Sequence, residues 1–325
     1  MNRHAWLALA LLATAGRAHG KTGARQDRRV PFVLPGPLLA LATGDLDRDG
    51  RDELVALTTD HVVVLGLVDG ALVEKASTPL VARAPVPKPR VPVGSLLVED
   101  LEGDGVLDVL ARSSEHAPGA RFAWKDGTLV PTASIQNFPW LAVRDSASAM
   151  HVGVAIAGHG AHDFPSDGFF FIPELREQEN MLSQALPKRI LWAKAATLSS
   201  AGGPSPHVAV LSQAGLDLFR EPNATKPLVR IRGVGASFEI ADLEGDGTLE
   251  IATSSYRAPG GGDQLVVRRL LADGRATVVF RSADLDKGIA AITAGDLDGD
   301  GKRGFLVAIR SPGEHKGELW LVSVP

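Results

Sequence analysis

The 325-residue chain contains no cysteine, so disulfides contribute nothing to its stability and burial or metal must do that work. Aromatic residues make up only 5%, with a single tyrosine, and the basic residues are scattered rather than clustered. That combination leaves no nucleic-acid footprint. No apolar run approaches the length of a membrane span. Nucleophile-elbow, phosphate-loop and zinc-protease motifs are all missing. What remains is a 45% apolar chain of net charge -4, enough for a substantial core.

The acid is concentrated in one recurring stretch. Gly44-Asp-Leu-Asp-Arg-Asp-Gly-Arg-Asp-Glu-Leu-Val55 returns as Glu99-Asp-Leu-Glu-Gly-Asp-Gly-Val-Leu-Asp-Val-Leu110, Ala241-Asp-Leu-Glu-Gly-Asp-Gly-Thr-Leu-Glu-Ile-Ala252 and Gly295-Asp-Leu-Asp-Gly-Asp-Gly-Lys-Arg-Gly-Phe-Leu306. Acids at positions 1, 3 and 5, a turn-forming Gly at 6, a carbonyl at 7 and an acid at 9 supply the oxygen cage of a hard cation, calcium above all. The ligand sets are Asp45, Asp47, Asp49, Arg51 (carbonyl) and Glu53, then Asp100, Glu102, Asp104, Val106 (carbonyl) and Asp108. Asp242, Glu244, Asp246, Thr248 (carbonyl) and Glu250 form the third, and Asp296, Asp298, Asp300 and Lys302 (carbonyl) the last. Gly304 at position 9 predicts a weaker last site. An EF-hand is excluded, because position 12 is Ala56, Ala111, Thr253 or Val307 and the flanks are short apolar runs that read as strands.

Position 1 falls at 45, 100, 242 and 296, and two degenerate copies fill the wide interval. They are Trp140 to Asp145 with Val152 to Ile156, and Lys194 to Ser199 with Val208 to Leu211. After each second strand comes a Gly/Pro-rich turn, a third strand and, in three units, an Asp-Gly hairpin at Asp69-Gly70, Asp126-Gly127 or Asp273-Gly274. Four antiparallel strands per unit, repeated six times, describe an all-β fold, a six-bladed β-propeller, with seven blades as the alternative. The segment Arg29 to Leu34 is expected to complete the last blade and close the ring.

Asp-x-Asp-x-Asp-Gly loops with Ala-Pro-Gly turns at this period resemble the FG-GAP (VCBS-type) repeats of integrin α-chain heads and of secreted bacterial propellers. The resemblance implies calcium between the first and second strands of a blade and ligands on the opposite face. There the second-to-third strand turns offer a candidate ligand face of His61, His116, His159, His162, Tyr256, Arg257 and His315.

Residues 1–20 pair Arg3 with an apolar run from Ala5 to Ala15 and a small-residue end, the pattern of a secretory signal peptide. Residues 21–29 read as a mobile leader and 30–325 as one propeller domain. Export to the periplasm or exterior follows. Glu174 to Leu186 has helix-forming composition. The functional expectation is a non-enzymatic binding, adhesion or scaffold module for a protein or carbohydrate partner, without nucleic acid. The alternative is a polysaccharide lyase or other hydrolytic enzyme on a propeller platform.

Overall fold

The computed structural model describes residues 28–80, 94–113, 118–135, 139–144, 150–155, 169–173, 180–181, 190–200, 203–212, 214–220, 226–255, 262–310 and 314–324. The expected signal peptide lies outside these residues.

Five blades of four antiparallel strands are each contiguous in sequence. The first comprises β1's successors β2 (Leu38–Gly44), β3 (Glu53–Thr58), β4 (His61–Val68) and β5 (Ala71–Pro79), where β1 is Arg28–Val33. The second comprises β6 (Ser95–Glu99), β7 (Asp108–Arg112), β8 (Gly119–Lys125) and β9 (Thr128–Ile135). The third comprises β10 (Pro139–Arg144), β11 (Met150–Ala155), β12 (Phe169–Pro173) and β13 (Asn180–Met181). The fourth comprises β14 (Ile190–Ser200), β15 (Gly203–Ser212), β16 (Gly215–Phe219) and β17 (Val229–Ile231). The fifth comprises β18 (Val234–Ala241), β19 (Glu250–Ser255), β20 (Leu265–Leu270) and β21 (Ala276–Arg281).

The expectation of six repeating units, or seven, is corrected here to five contiguous blades. The last three strands, β22 (Gly288–Gly295), β23 (Gly304–Arg310) and β24 (Lys316–Val322), form a four-stranded sheet only with β1, in the order β1-β24-β23-β22. Seven blades would need strands that the described residues do not contain. β1 begins at Arg28 and takes in the end of the expected leader. Pro31 is tolerated in it because β1 is an edge strand, bonded to β24 alone. Two further expectations change. Asn180–Met181 is a strand inside the segment read as helix-forming, and no helix occurs among the described residues. Asp69-Gly70 and Asp126-Gly127 are two-residue turns with both φ values positive, but around Asp273 only Gly274 is left-handed. There Gly274 N donates to Leu271 O at 2.9 Å and Leu271 N to Arg275 O at 2.8 Å, which makes a longer turn.

The first strands of the sheets make the ring: β2, β6, β10, β14, β18 and β22 each touch the next, and β22 touches β2. Lys194 of β14 reaches across it, donating to Glu239 Oε2 on β18 at 2.5 Å and to Ile292 O on β22 at 3.0 Å. Second and third strands are apolar on both faces because a neighbouring blade covers each side. Every residue of β3 is buried, whereas β5 alternates toward solvent. The cores therefore lie between blades. One joins Val55, Leu57, Val62 and Val64 of the first blade to Val109, Ala111 and Phe122 of the second. Another joins Leu54, Ala56 and Val63 to Leu306, Leu319, Val30 and Phe32 across the closure.

In the fourth blade the β14–β15 ladder runs on through the place where an acidic loop would lie, ending at the Ser200–Gly203 pair. His207 on β15 is 4% exposed, with Nδ1 3.2 Å from Ser205 O. Burial, with the Arg220 charge, pushes its pKa down against the raising effect of that contact. A folded-state pKa below the unfolded value means that the unfolded chain takes up the proton first, so stability is lost as pH falls below about 6.5. His207→Gln should remove this component. The melting-temperature gap between wild type and variant is expected to shift in the variant's favour between pH 7.5 and 5.5, and a constant gap would contradict the assignment.

Candidate metal centres in the acidic loops

Each acidic loop joins the first strand of a sheet to the second, at the end opposite His61 and His315. The position-1 aspartate organises the turn by accepting backbone N–H groups. Asp45 takes Asp49 N and Gly50 N, both at 3.0 Å, and Asp296 takes Asp300 N at 3.2 Å and Gly301 N at 2.8 Å. Asp100 and Asp242 do the same in their loops. The leucine at position 2 is an anchor the motif reading missed: Leu46, Leu101, Leu243 and Leu297 are 7%, 6%, 6% and 2% exposed. Burying it in the inter-blade core turns the acids at 1, 3 and 5 outward. Position 4 as well as position 6 is left-handed, and Gly103, Gly245 and Gly299 fill it without strain where the first loop has Arg48 at φ 62.

The structure brings two acidic triads together. The carboxylates of Asp45, Asp47 and Asp49, and those of Asp296, Asp298 and Asp300, each lie within 4.8 Å of one another. Among the described residues no other such group occurs. These two loops belong to neighbouring sheets and are joined. Asp296 N donates to Asp52 Oδ2 and Asp52 N to Asp296 O, both at 2.8 Å, while Thr43 Oγ1 donates to Ala294 O at 2.6 Å. Burial pushes the Asp52 carboxyl up, opposed by that Asp296 bond and by Arg303.

The position-9 acids turn inward and meet a basic residue from a later strand. Glu53, 1% exposed, accepts Lys75 Nζ at 2.6 Å and Leu46 N at 2.8 Å. Lys75 also donates to Asp47 Oδ2 at 2.7 Å. Asp108 accepts Arg121 Nε at 2.7 Å and Nη2 at 2.9 Å, and Arg121 Nη2 also reaches Glu102 at 2.8 Å. Glu250 accepts Arg269 Nε at 2.8 Å. Burial pushes the Glu53, Asp108 and Glu250 carboxyls up, opposed by these cations. The last loop has neither partner. A Cβ at Gly304 would sit 3.0 Å from Val322 O of β24, a tight contact. There Asp298 is pushed up, first by desolvation and then by the neighbouring Asp300 and Asp296. Gly304 thus removes no oxygen that the other loops make available, and the donor set of Asp296, Asp298, Asp300 and the Lys302 carbonyl suits a hard cation.

On the opposite face, His61 Nδ1 lies 3.1 Å from Asp60 Oδ1 and His315 Nδ1 3.2 Å from Pro35 O. His116, His159, His162, Tyr256 and Arg257 lie outside the described residues.

No family model matches the chain. No curated protein matches it either. Among solved structures it is similar to a triple arginine-to-alanine mutant of AofleA from Arthrobotrys oligospora, at TM-score 0.51 and 10% identity over 94% of this chain and 93% of that one. A glucose dehydrogenase matches at TM-score 0.49 and 11% identity over 91% and 99% of the two chains. A chain of the mitotic checkpoint complex matches at 0.49 and 9% over 98% and 99%. At such identities the likeness to AofleA concerns the fold alone.

Proposed function

We propose that the chain is an exported β-propeller of FG-GAP (VCBS) type that binds calcium in its acidic loops and acts as a binding module for a protein or carbohydrate partner. The observation that carries this reading is the convergence of Asp296, Asp298 and Asp300, whose carboxylates have no ion-pair partner among the described residues. The Asp45, Asp47 and Asp49 loop is the second candidate, with Lys75 competing for Asp47. Asp100 to Asp108 and Asp242 to Glu250 depend on calcium less, because Arg121 already pairs with Asp108 and Glu102 and Arg269 with Glu250. Bound calcium supplies fixed positive charge shared among several oxygens. The chain's own residues hold the loops in shape, and the loop bonds between Asp52 and Asp296 couple the first blade to the closing sheet. The opposite face is left to the partner.

Thermal unfolding of residues 21–325 in EDTA and in millimolar calcium, with magnesium as control, tests the metal. A free calcium concentration a hundredfold above Kd stabilises by about 2.7 kcal/mol, or on the order of 4 °C for a domain of this size. Asp298→Asn with Asp300→Asn should abolish most of that shift. An unshifted midpoint in the wild type refutes the calcium reading. The partner is sought in calcium against glycan arrays and envelope extracts, and saturable binding that Asp298→Asn leaves intact would place it away from the loops.

A further inference from the structure

Several of the basic side chains that stand on the sheets are answered by an acid. Lys75, Arg121, Lys194, Arg230 and Arg269 each meet a carboxylate oxygen at 2.5–2.8 Å. Buried Arg310 donates to the Leu38 and Glu314 carbonyls instead. Arg268 on β20 is not among those paired with an acid. It is half-buried, and no carboxylate pairs with it among the described residues. Its single hydrogen bond is from Nη1 to Thr253 Oγ1 at 3.0 Å. The Thr253 hydroxyl is 3.3 Å from Val266 O, so its proton goes there and its oxygen accepts from the guanidinium.

The neighbour of Arg268 is a second cation. Val266, on the same face of β20, pairs in register with Arg281 of β21, which sets Arg281 on that face too. Arg281 is steadied by Gln264: its Nη1 donates to Oε1 at 3.2 Å, while Gln264 Nε2 donates to Asp284 Oδ1 at 2.5 Å. Burial and the Arg281 charge both push the Arg268 pKa down. A guanidinium does not escape by deprotonating. Nη1 to Thr253 is the one hydrogen bond of Arg268 among the described residues, and the side chain is only partly covered.

We propose that Arg268 and Arg281 form an oxyanion site on the flank of the fifth blade, taking a carboxylate or sulfate group. Two guanidinium groups on one face of the sheet, neither paired with a carboxylate among the described residues, offer charged N–H donors to a planar or tetrahedral anion, the kind of group Arg binds best. The site lies apart from the acidic loops and does not depend on calcium.

Melting curves in EDTA with sodium sulfate, sodium acetate and sodium chloride at equal ionic strength test it on the full chain. Sulfate or acetate should raise the midpoint saturably beyond chloride, and the stronger of the two identifies the preferred group. Arg281→Gln, an exposed change, should weaken the apparent affinity at least fivefold. Arg268→Met should melt no lower than wild type in chloride and should lose the anion response. The proposal falls if neither anion exceeds chloride, if Arg281→Gln responds like wild type, or if Arg268→Met is strongly destabilised in chloride, which would make the guanidinium structural.

Discussion

Replacing Arg121 with methionine is expected to destabilise the protein by about 3–5 kcal/mol, because it strands an ionised carboxylate in a place built for a pair. Asp108 is 5% exposed and accepts two bonds from that one guanidinium, so its loss leaves Asp108 without its cation partner among the described residues while Glu102 and Asp104 stand nearby. The Met side chain fills the volume and supplies no charge. The double variant Arg121→Met with Asp108→Asn should recover more than half of the loss, since an uncharged amide needs no counter-ion. Urea melts of the four members of the cycle measure this. Equal destabilisation in the single and double variants would show that Arg121 acts by packing rather than by charge.

The second large effect is at the closure. A chain starting at Leu34 would lose β1, whose Val30 and Phe32 are 2% and 7% exposed in the core between the first blade and the closing sheet. Burying two such side chains contributes about 3–6 kcal/mol. Six backbone pairings with β24 go with them, as does Arg29, whose guanidinium lies 5.2 Å from the Trp320 ring centroid. The truncated chain should melt at least 10 °C lower and associate through the bared edge of β24. A synthetic peptide of residues 27–34 added in excess should raise the midpoint again, because strand addition to an open edge is reversible. A truncated protein that melts with the wild type would remove β1 from the structural account.

Much of this architecture was legible in the sequence because the first, second and fifth units are punctuated twice. The Asp-Leu-Asp/Glu-x-Asp-Gly loop marks the join of first and second strands, and an Asp-Gly pair marks that of third and fourth. Asp69-Gly70 and Asp126-Gly127 adopt the expected turn, whereas the same dipeptide at 273–274 sits one step later in a longer loop. Dipeptide identity does not fix the register when five residues separate the strands. The segment from Glu174 to Leu186 differs for another reason: its composition suits a helix, but its described residues Asn180–Met181 pair with β12. In the acidic loops the motif showed which oxygens are near one another in sequence. It could not show that Lys75, Arg121 and Arg269, 22, 13 and 19 residues from Glu53, Asp108 and Glu250, fold back onto position 9. A usable signal exists in retrospect, since Arg269 faces Glu250 directly across the β19–β20 pair.

The composite sheet also sets an order of events during synthesis. β1 emerges from the ribosome first, yet its partner β24 follows it by nearly the whole length of the chain: Arg28 faces Leu321 and Val33 faces Lys316. The contiguous blades can pair their strands as they appear, through local hairpins. Closure waits for a contact between the two extremes of the sequence, the kind that slows folding most. Until then Val30 and Phe32 are exposed beside an open strand edge, so the time between first and last strand is the interval in which a chaperone has something to hold.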